Sequence, residues 1–208
     1  EVSWAEGPVL KRLVVASLDE DQPLASPESL DPGLALPRAR PEGTLALVNA
    51  RVLSMADPQA PGEAIEGATV IIERDRIVSV QVGGAVPVGA RVVDLSGKTV
   101  IPGLIDVHAH MHYGAGDVLP EQEWRYRVNL DFGVTTIHDP SASTDLVFTQ
   151  AERVAAGLME GPRITSTGFV LYGAKSNEGA PTPDREAAIR HLRRLQAVGA
   201  FSVKVYQQ

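Results

Sequence analysis

The sequence predicts an α/β fold that comprises the first half of a (β/α)₈ barrel, preceded by a small β-sandwich. From residue 101 onward, β-branched apolar runs alternate with helical stretches, about 30 residues per repeat, which is typical of a parallel α/β sheet. Residues 44–100 instead hold six short strand-like runs separated by turn signals. A closed barrel needs about 250 residues, so residues 101–208 supply its strands 1–4. We therefore expect this chain to be a piece of a longer protein.

Residues 1–43 are predicted to be a short remnant followed by a linker. Val2–Ala5 and Leu10–Ala16 each have the composition of a short strand. Ser17–Gly43 contains five prolines and no aromatic residue. Such a stretch has too little apolar surface for a core, and we expect an extended connector there.

The sandwich region, residues 44–100, is predicted from short apolar runs. Arg74–Arg76 lies between two of these runs and predicts a hairpin turn. The runs are Leu45–Val48, Val52–Met55, Ala68–Glu73, Ile77–Val82, Arg91–Leu95 and Thr99–Ile101.

The barrel region is predicted to hold four strands and three helices. Trp124, Val128 and Phe132 follow at helical spacing and predict the apolar face of the first helix, and Asp184 predicts the N-cap of the third. The predicted strands are Ile101–His110, Val134–His138, Arg163–Val170 and Phe201–Tyr206. The predicted helices are Glu121–Phe132, Thr144–Leu158 and Asp184–Val198.

Composition excludes several classes of function. The formal net charge is −7 and no run of Lys or Arg exceeds two residues, which argues against a nucleic-acid binder. No stretch approaches the roughly 18 consecutive apolar residues of a membrane span. The chain has no cysteine, so disulfides, thiolate metal sites and cysteine nucleophiles are excluded.

Three of the five histidines lie within one short segment, His108, His110 and His112. On a strand, residues two apart point to the same face, so His108 and His110 are predicted to project together at the strand's carboxyl end, where barrels carry their active sites. Two neutral imidazoles there suit a divalent cation. The alternative is a solvent-exposed histidine cluster. His112 lies past the strand and is predicted to contact substrate or belong to the loop, with metal ligation as the alternative.

Lys204 is the second candidate. It is predicted to share a face of the fourth strand with Ser202 and Tyr206. Burial lowers the pKa of a lysine, and the free amine can react with CO₂ to form a carbamate whose two oxygens can bridge two metal ions. The alternative is a rim lysine that reaches solvent.

Further candidates follow the second and third strands. His138 and Asp139 are candidates for contacting substrate or orienting a metal ligand, and the favoured alternative is structural, with Asp139-Pro140 as a turn. Tyr172 and Lys175 follow the third strand at the same rim and are candidate substrate contacts. His191 is expected on the outer face of its helix.

The run Ser96–His110, with Gly133–Asp139 and Gly199–Tyr206, resembles the first, second and fourth barrel strands of the amidohydrolase superfamily. The resemblance covers residues 36–208. It implies a distorted (β/α)₈ barrel with a composite β-sandwich, to which residues 44–100 would contribute the N-terminal part. Residues 36–44 resemble the joint of amidohydrolases fused after a β-propeller, which would make residues 1–16 a propeller tail.

The resemblance also implies a site. His108 and His110 would bind the more buried of one or two divalent ions, Zn²⁺ above all, and Lys204 would be the carboxylated bridging lysine. The family's further histidines and its general-base aspartate would lie beyond the chain end, so these residues alone are expected to be inactive. Propeller-fused relatives are often exported, which makes an exported or periplasmic location the implied one.

The resulting hypothesis is a metal-dependent hydrolase that cleaves an amide-type C–N bond, in a dipeptide or a small cyclic or linear amide, with metal-activated hydroxide. The alternatives are a mononuclear ring deaminase of the same fold and a non-catalytic scaffold or oligomerisation protein. The expected partner is the small amide substrate, with no nucleic acid, no membrane span and a homo-oligomer left open.

Overall fold

The computed structural model describes residues 2–6, 9–14, 25–33, 35–60, 62–114, 118–173 and 182–206. Within these residues the first half of the chain contains strands, and strands alternate with helices only from residue 104 onward. The chain divides into two units, residues 39–104 and residues 1–38 together with 105–208. No helix within the described ranges combines the length and the apolarity needed to cross a bilayer.

The N-terminal segment forms a three-stranded antiparallel sheet, β1 (Val2–Glu6), β2 (Val9–Leu13) and β3 (Glu28–Leu30). The third strand lies inside the stretch predicted to be an extended connector, which is a correction. Its pairing rests on the backbone ladder and on polar side chains, with Lys11 Nζ 2.8 Å from Ser29 Oγ and an ion pair between Arg12 and Glu28. Composition alone does not reveal such a short, exposed strand.

Residues 39–104 form one five-stranded sheet in the order β6–β5–β4–β7, with β8 also paired to β4. The strands are β4 (Thr44–Leu53), β5 (Ala64–Glu73), β6 (Arg76–Val82), β7 (Arg91–Asp94) and β8 (Thr99–Val100). The predicted hairpin is confirmed, with Glu73 opposite Arg76 and Arg74 at φ 54°. The two runs predicted around Asn49 are a single strand whose register shifts there, because Asn49 adopts φ 59°.

The core of this sheet consists of small and β-branched side chains on β4 and β5. Ala50, Val52, Ala68 and Val70 are buried together. A second sheet facing this one is not found among the described residues of the unit, so the sandwich stays a prediction.

The alternation of strands and helices predicted from residue 101 onward is confirmed. The elements are β9 (Leu104–Asp106), α1 (Trp124–Asp131), β10 (Val134–Asp139), α2 (Thr144–Ala155), β11 (Arg163–Ser166), β12 (Leu171–Tyr172), α3 (Arg185–Ala197) and β13 (Val205–Tyr206). One sheet has the order β11–β10–β9, and β12 pairs with β13. The β10–β11 and β12–β13 pairs are parallel.

The first and fourth strands of this region are shorter than predicted. Ile101–His110 is a strand only over Leu104–Asp106, because the Asp106 carboxylate accepts the backbone N–H of His108 at 2.9 Å and turns the chain. Phe201–Tyr206 is a strand only at Val205–Tyr206. The predicted third strand is interrupted between Ser166 and Leu171.

The apolar stripe predicted for α1 does not face the core. Trp124 is 63% exposed and Phe132 78%, whereas Tyr126 is fully buried. The orientation of α1 follows Tyr126, whose hydroxyl donates to the buried Gln150 of α2. The prediction for α3 holds: Asp184 caps it by accepting the N–H of Ala187 at 2.7 Å.

Substitutions at two glycines distinguish the cost of a strained backbone from the cost of overpacking. Gly133 (φ 80°) has open space where a Cβ would stand, whereas a Cβ on Gly168 (φ 65°) would lie 2.9 Å from Cδ2 of the buried Leu195. We expect Gly133→Ala to lower the free energy of unfolding by about 1–2 kcal/mol for the left-handed backbone. Gly168→Ala should cost about 1–3 kcal/mol more because the clash is added.

Urea unfolding of both variants measures this difference. Equal losses at the two positions would show that the region around Leu195 yields to an added methyl group.

Candidate metal centre

The segment that carries His108 and His110 leaves β9 in a turn, so strand alternation is not what brings these two side chains together. Their ring centroids are nevertheless 5.0 Å apart, with the planes at 79°. Both residues are exposed, while Ala109 between them is buried and donates its N–H to the His138 carbonyl at 3.0 Å. The backbone of β10 therefore anchors the histidine segment between its two imidazoles.

His110 is oriented by a buried carboxylate. Its Nδ1 lies 3.1 Å from Oδ1 of Asp139, and the Asp139 side chain is 1% exposed. The carboxylate also accepts hydrogen bonds from the backbone N–H groups of Met111 and Ser141 and from the Tyr113 hydroxyl. Both carboxylate oxygens therefore act as acceptors. Nδ1 of His110 is therefore the donor in this hydrogen bond, and in the neutral ring Nε2 keeps a free lone pair. Metal-binding histidines are commonly held in this way.

Asp139 is in turn held by a buried polar network that reaches α1 and α2. The Tyr113 hydroxyl donates to Oδ2 of Asp139 at 2.9 Å, the Tyr113 carbonyl accepts from the Gln150 amide, and the Gln150 oxygen accepts from Tyr126. Burial, with the nearby charge of Asp139, raises the pKa of Tyr113 far above its usual value, so it stays a proton donor. Burial likewise raises the pKa of Tyr126.

Sequence reasoning missed Tyr113 and Gln150 altogether. The available signals were weak: Tyr113 directly follows the histidine cluster, and Gln150 is a polar residue within an amphipathic helix.

His138 lies beside Asp139 on β10 and contacts other partners. Its Nδ1 lies 2.9 Å from Oγ1 of Thr165 on β11, and its Nε2 lies 3.2 Å from Oγ of Ser202. The Phe201 ring packs against the imidazole, with centroids 5.2 Å apart. Successive side chains of a strand point to opposite sides, so His138 and Asp139 contact different neighbours.

Lys204 is half-buried and lies against one ring of an aromatic pair. Its Nζ lies 5.1 Å from the centroid of the Tyr206 ring, and the Tyr206 and Tyr172 rings are 5.9 Å apart across the β12–β13 pair. The Lys204 carbonyl accepts the N–H of Leu171 at 2.9 Å. Convergence of Lys204 with His108 and His110 stays a prediction.

Three candidates remain: His112, Lys175 and His191. His112 is exposed, and Lys175 lies outside the described residues. His191 of α3 is half-buried, and burial together with Arg194 and Arg190 lowers its pKa. Within the described part of the chain, no three His, Asp or Glu side chains surround a common point.

The chemistry of these side chains suits a divalent cation, which His108 and His110 would hold together with further donors. The fit rests on the Asp139–His110 hydrogen bond, which leaves an imidazole nitrogen free, and on the proximity of the His108 ring. A further oxygen or nitrogen donor is needed to complete such a site, and Lys204 is the sequence-predicted candidate.

Asp139→Asn should destabilise the protein by about 1–3 kcal/mol, because the introduced amide N–H₂ would face groups that are themselves donors. The matched control is Asp106→Asn, since Asp106 is exposed and its bond to His108 N–H can be kept by an amide oxygen. We expect the control to stay within about 0.5 kcal/mol.

Urea unfolding measures both values, and ¹⁵N NMR of the His110 ring reports the tautomer. Equal effects of the two substitutions, or a wild-type His110 protonated at Nε2 alone, would contradict the assigned role of Asp139.

The chain is similar to curated imidazolonepropionases. It is 28% identical over 158 residues to the enzyme of Klebsiella pneumoniae subsp. pneumoniae, which covers 74% of this chain and 36% of that protein. It is 31% identical over 174 residues to the enzyme of Streptomyces griseus subsp. griseus, which covers 77% of this chain and 42% of that protein. No protein-family profile matches the chain.

The chain also resembles a solved structure at the level of fold. A crystal structure of an amidohydrolase superposes with a TM-score of 0.58 at 23% identity, covering 78% of this chain and 46% of that one. The chain thus spans less than half the length of the relatives it matches.

Proposed function

We propose, because this chain is related to the amidohydrolase superfamily, that the intact protein is a metal-dependent hydrolase of amide-type C–N bonds. Its curated relatives are imidazolonepropionases, and it shares the fold of a solved amidohydrolase. The observation that carries the proposal is the hydrogen bond between the buried Asp139 and Nδ1 of His110, which leaves Nε2 of that ring for a cation.

In this proposal the strands from β9 onward are the first four strands of a (β/α)₈ barrel. The interrupted segment β11–β12 counts as the third strand and β13 as the fourth. The sheet of residues 39–104 would form part of the composite sandwich. Since the chain spans less than half of its relatives, we propose that activity belongs to the intact protein, not to these 208 residues alone.

His108 and His110 would hold the divalent metal, with Zn²⁺ the expected ion. Such an ion supplies Lewis acidity and an activated water at neutral pH. Asp139 keeps the proton of His110 on Nδ1, and Tyr113 keeps Asp139 in place through its own proton. These residues orient the site before substrate arrives.

Lys204 would contribute as a carbamate. Its neutral amine adds to CO₂ and releases one proton, which gives an anion with two oxygens that can hold a second ion. His112 and Tyr172 are the residues we propose as substrate contacts. The substrate class is a small cyclic or linear amide: the relatives are named for imidazolonepropionate, a small molecule, and a dipeptide has the same kind of bond.

A second candidate is a mononuclear enzyme of the same fold, such as a ring deaminase. The position of Lys204 Nζ, 5.1 Å from the Tyr206 ring centroid, favours it, because that position suits a charged ammonium group.

Metal analysis of the intact protein separates the candidates. The binuclear hydrolase is expected to hold about two ions per chain, and Lys204→Ala should lower this to about one and reduce kcat at least about 100-fold. The matched control is Lys98→Ala, since Lys98 is an exposed lysine of residues 39–104. Chelation should abolish hydrolysis, and added Zn²⁺ should restore it.

Full activity of Lys204→Ala with one bound ion, and ammonia release from an amino-heterocycle, would replace the binuclear hydrolase by the deaminase. Absence of both bound metal and hydrolysis in the intact protein would favour the third hypothesis, a non-catalytic scaffold.

A further inference from the structure

The imidazole of His138 is hydrogen-bonded at both nitrogens, and the direction of each bond follows from counting protons. Thr165 Oγ1 donates its single proton to the Ile137 carbonyl at 3.0 Å. It therefore accepts from His138, which places a proton on Nδ1. In the neutral ring Nε2 is then an acceptor, and the Ser202 hydroxyl, 3.2 Å away, donates to it.

Ser202 lies in an irregular segment two residues before Lys204. Regular pairing begins only at Val205, and the Lys204 carbonyl is tied to the N–H of Leu171. Lys204 is therefore flanked by two anchors, the Ser202–His138 hydrogen bond on one side and the backbone bond to Leu171 on the other.

The residue that binds Ser202 and the residue that binds His110 are neighbours in the sequence. Asp139 holds His110, and His138 holds the segment that leads to Lys204. The carboxyl end of β10 thus supports both segments that carry candidate metal ligands. A substrate-contacting role for His138 is disfavoured, because both ring nitrogens are engaged and Phe201 packs against the ring.

We propose that His138 is a positioning residue that sets the place of the Lys204 amine at the metal centre, through Ser202 and with its tautomer fixed by Thr165. This inference rests on the proposed function, because it takes Lys204 to be the residue that forms the carbamate.

Two amide substitutions separate the two hydrogen bonds of the ring. The amide of Asn reaches about as far as Nδ1 and that of Gln about as far as Nε2. His138→Asn therefore keeps a donor for Thr165 and loses the acceptor for Ser202, whereas His138→Gln keeps that acceptor. Ser202→Ala removes the same bond from the other side.

The experiment uses the intact Zn²⁺-loaded protein. The measured quantities are the affinity for the second ion, the carbamate signal after equilibration with ¹³C-bicarbonate, and kcat and KM separately. We expect His138→Asn and Ser202→Ala to weaken the second ion about 10–100-fold and to lower kcat more than KM, while His138→Gln retains wild-type values. Raised bicarbonate should restore carbamate in His138→Asn and not in Lys204→Ala.

A folded His138→Asn with wild-type second-ion affinity and carbamate would overturn this inference alone, as would a loss in His138→Gln equal to that in His138→Asn. A wild-type protein with one ion and no carbamate would overturn the binuclear function and this inference together. If His138→Asn does not fold, as judged by urea unfolding, Ser202→Ala decides, because it removes a single hydroxyl.

Discussion

The carboxylate of Asp139 is almost fully buried and receives hydrogen bonds from four directions, from His110, Met111, Tyr113 and Ser141. A buried anion is very costly unless it is fully paired, and here each oxygen accepts from two donors. These donors come from the segment after β9 and from the turn after β10. The backbone of both segments must therefore be in place before the anion is tolerated, which ties the fold to the geometry of the histidines.

The rest of the unit is arranged around the same strand. Ile137 and Asp139 are buried on β10, and Ile164 packs with Ile137 in the core. Tyr126 links α1 to α2 through Gln150, so the two helices are fixed relative to the site by polar contacts as well as by apolar packing. A buried network of this kind is specific because each donor has one acceptor within reach.

Local signals in the sequence predicted the alternation of strands and helices and several individual elements, whereas the half barrel and the sandwich stay predictions. The Asp184 cap predicted the start of α3, and Arg74–Arg76 predicted the hairpin, because both depend on neighbours within a few residues. Failures arose where a distant contact decides. The α1 face is chosen by the bond of Tyr126 to Gln150, 24 residues away, and not by the stripe of Trp124.

In the candidate site, too, local spacing predicted some contacts and long-range contacts decided the others. The spacing of His108 and His110 correctly suggested neighbouring rings, although through a strand that the carboxylate of Asp106 cuts short. That Asp139 holds His110 could not be read from the sequence, because 29 residues separate them and an Asp-Pro pair is equally typical of a plain turn. The contact of Lys204 with Tyr206 follows from their two-residue spacing near the strand end.

The three protein donors that Asp139 has besides His110 also bear on how such a centre is assembled. Met111, Tyr113 and Ser141 satisfy the anion by themselves, so its stability does not depend on any cation being present. In the proposed centre, the hydrogen bond that orients His110 would therefore be formed by folding alone, with or without an ion.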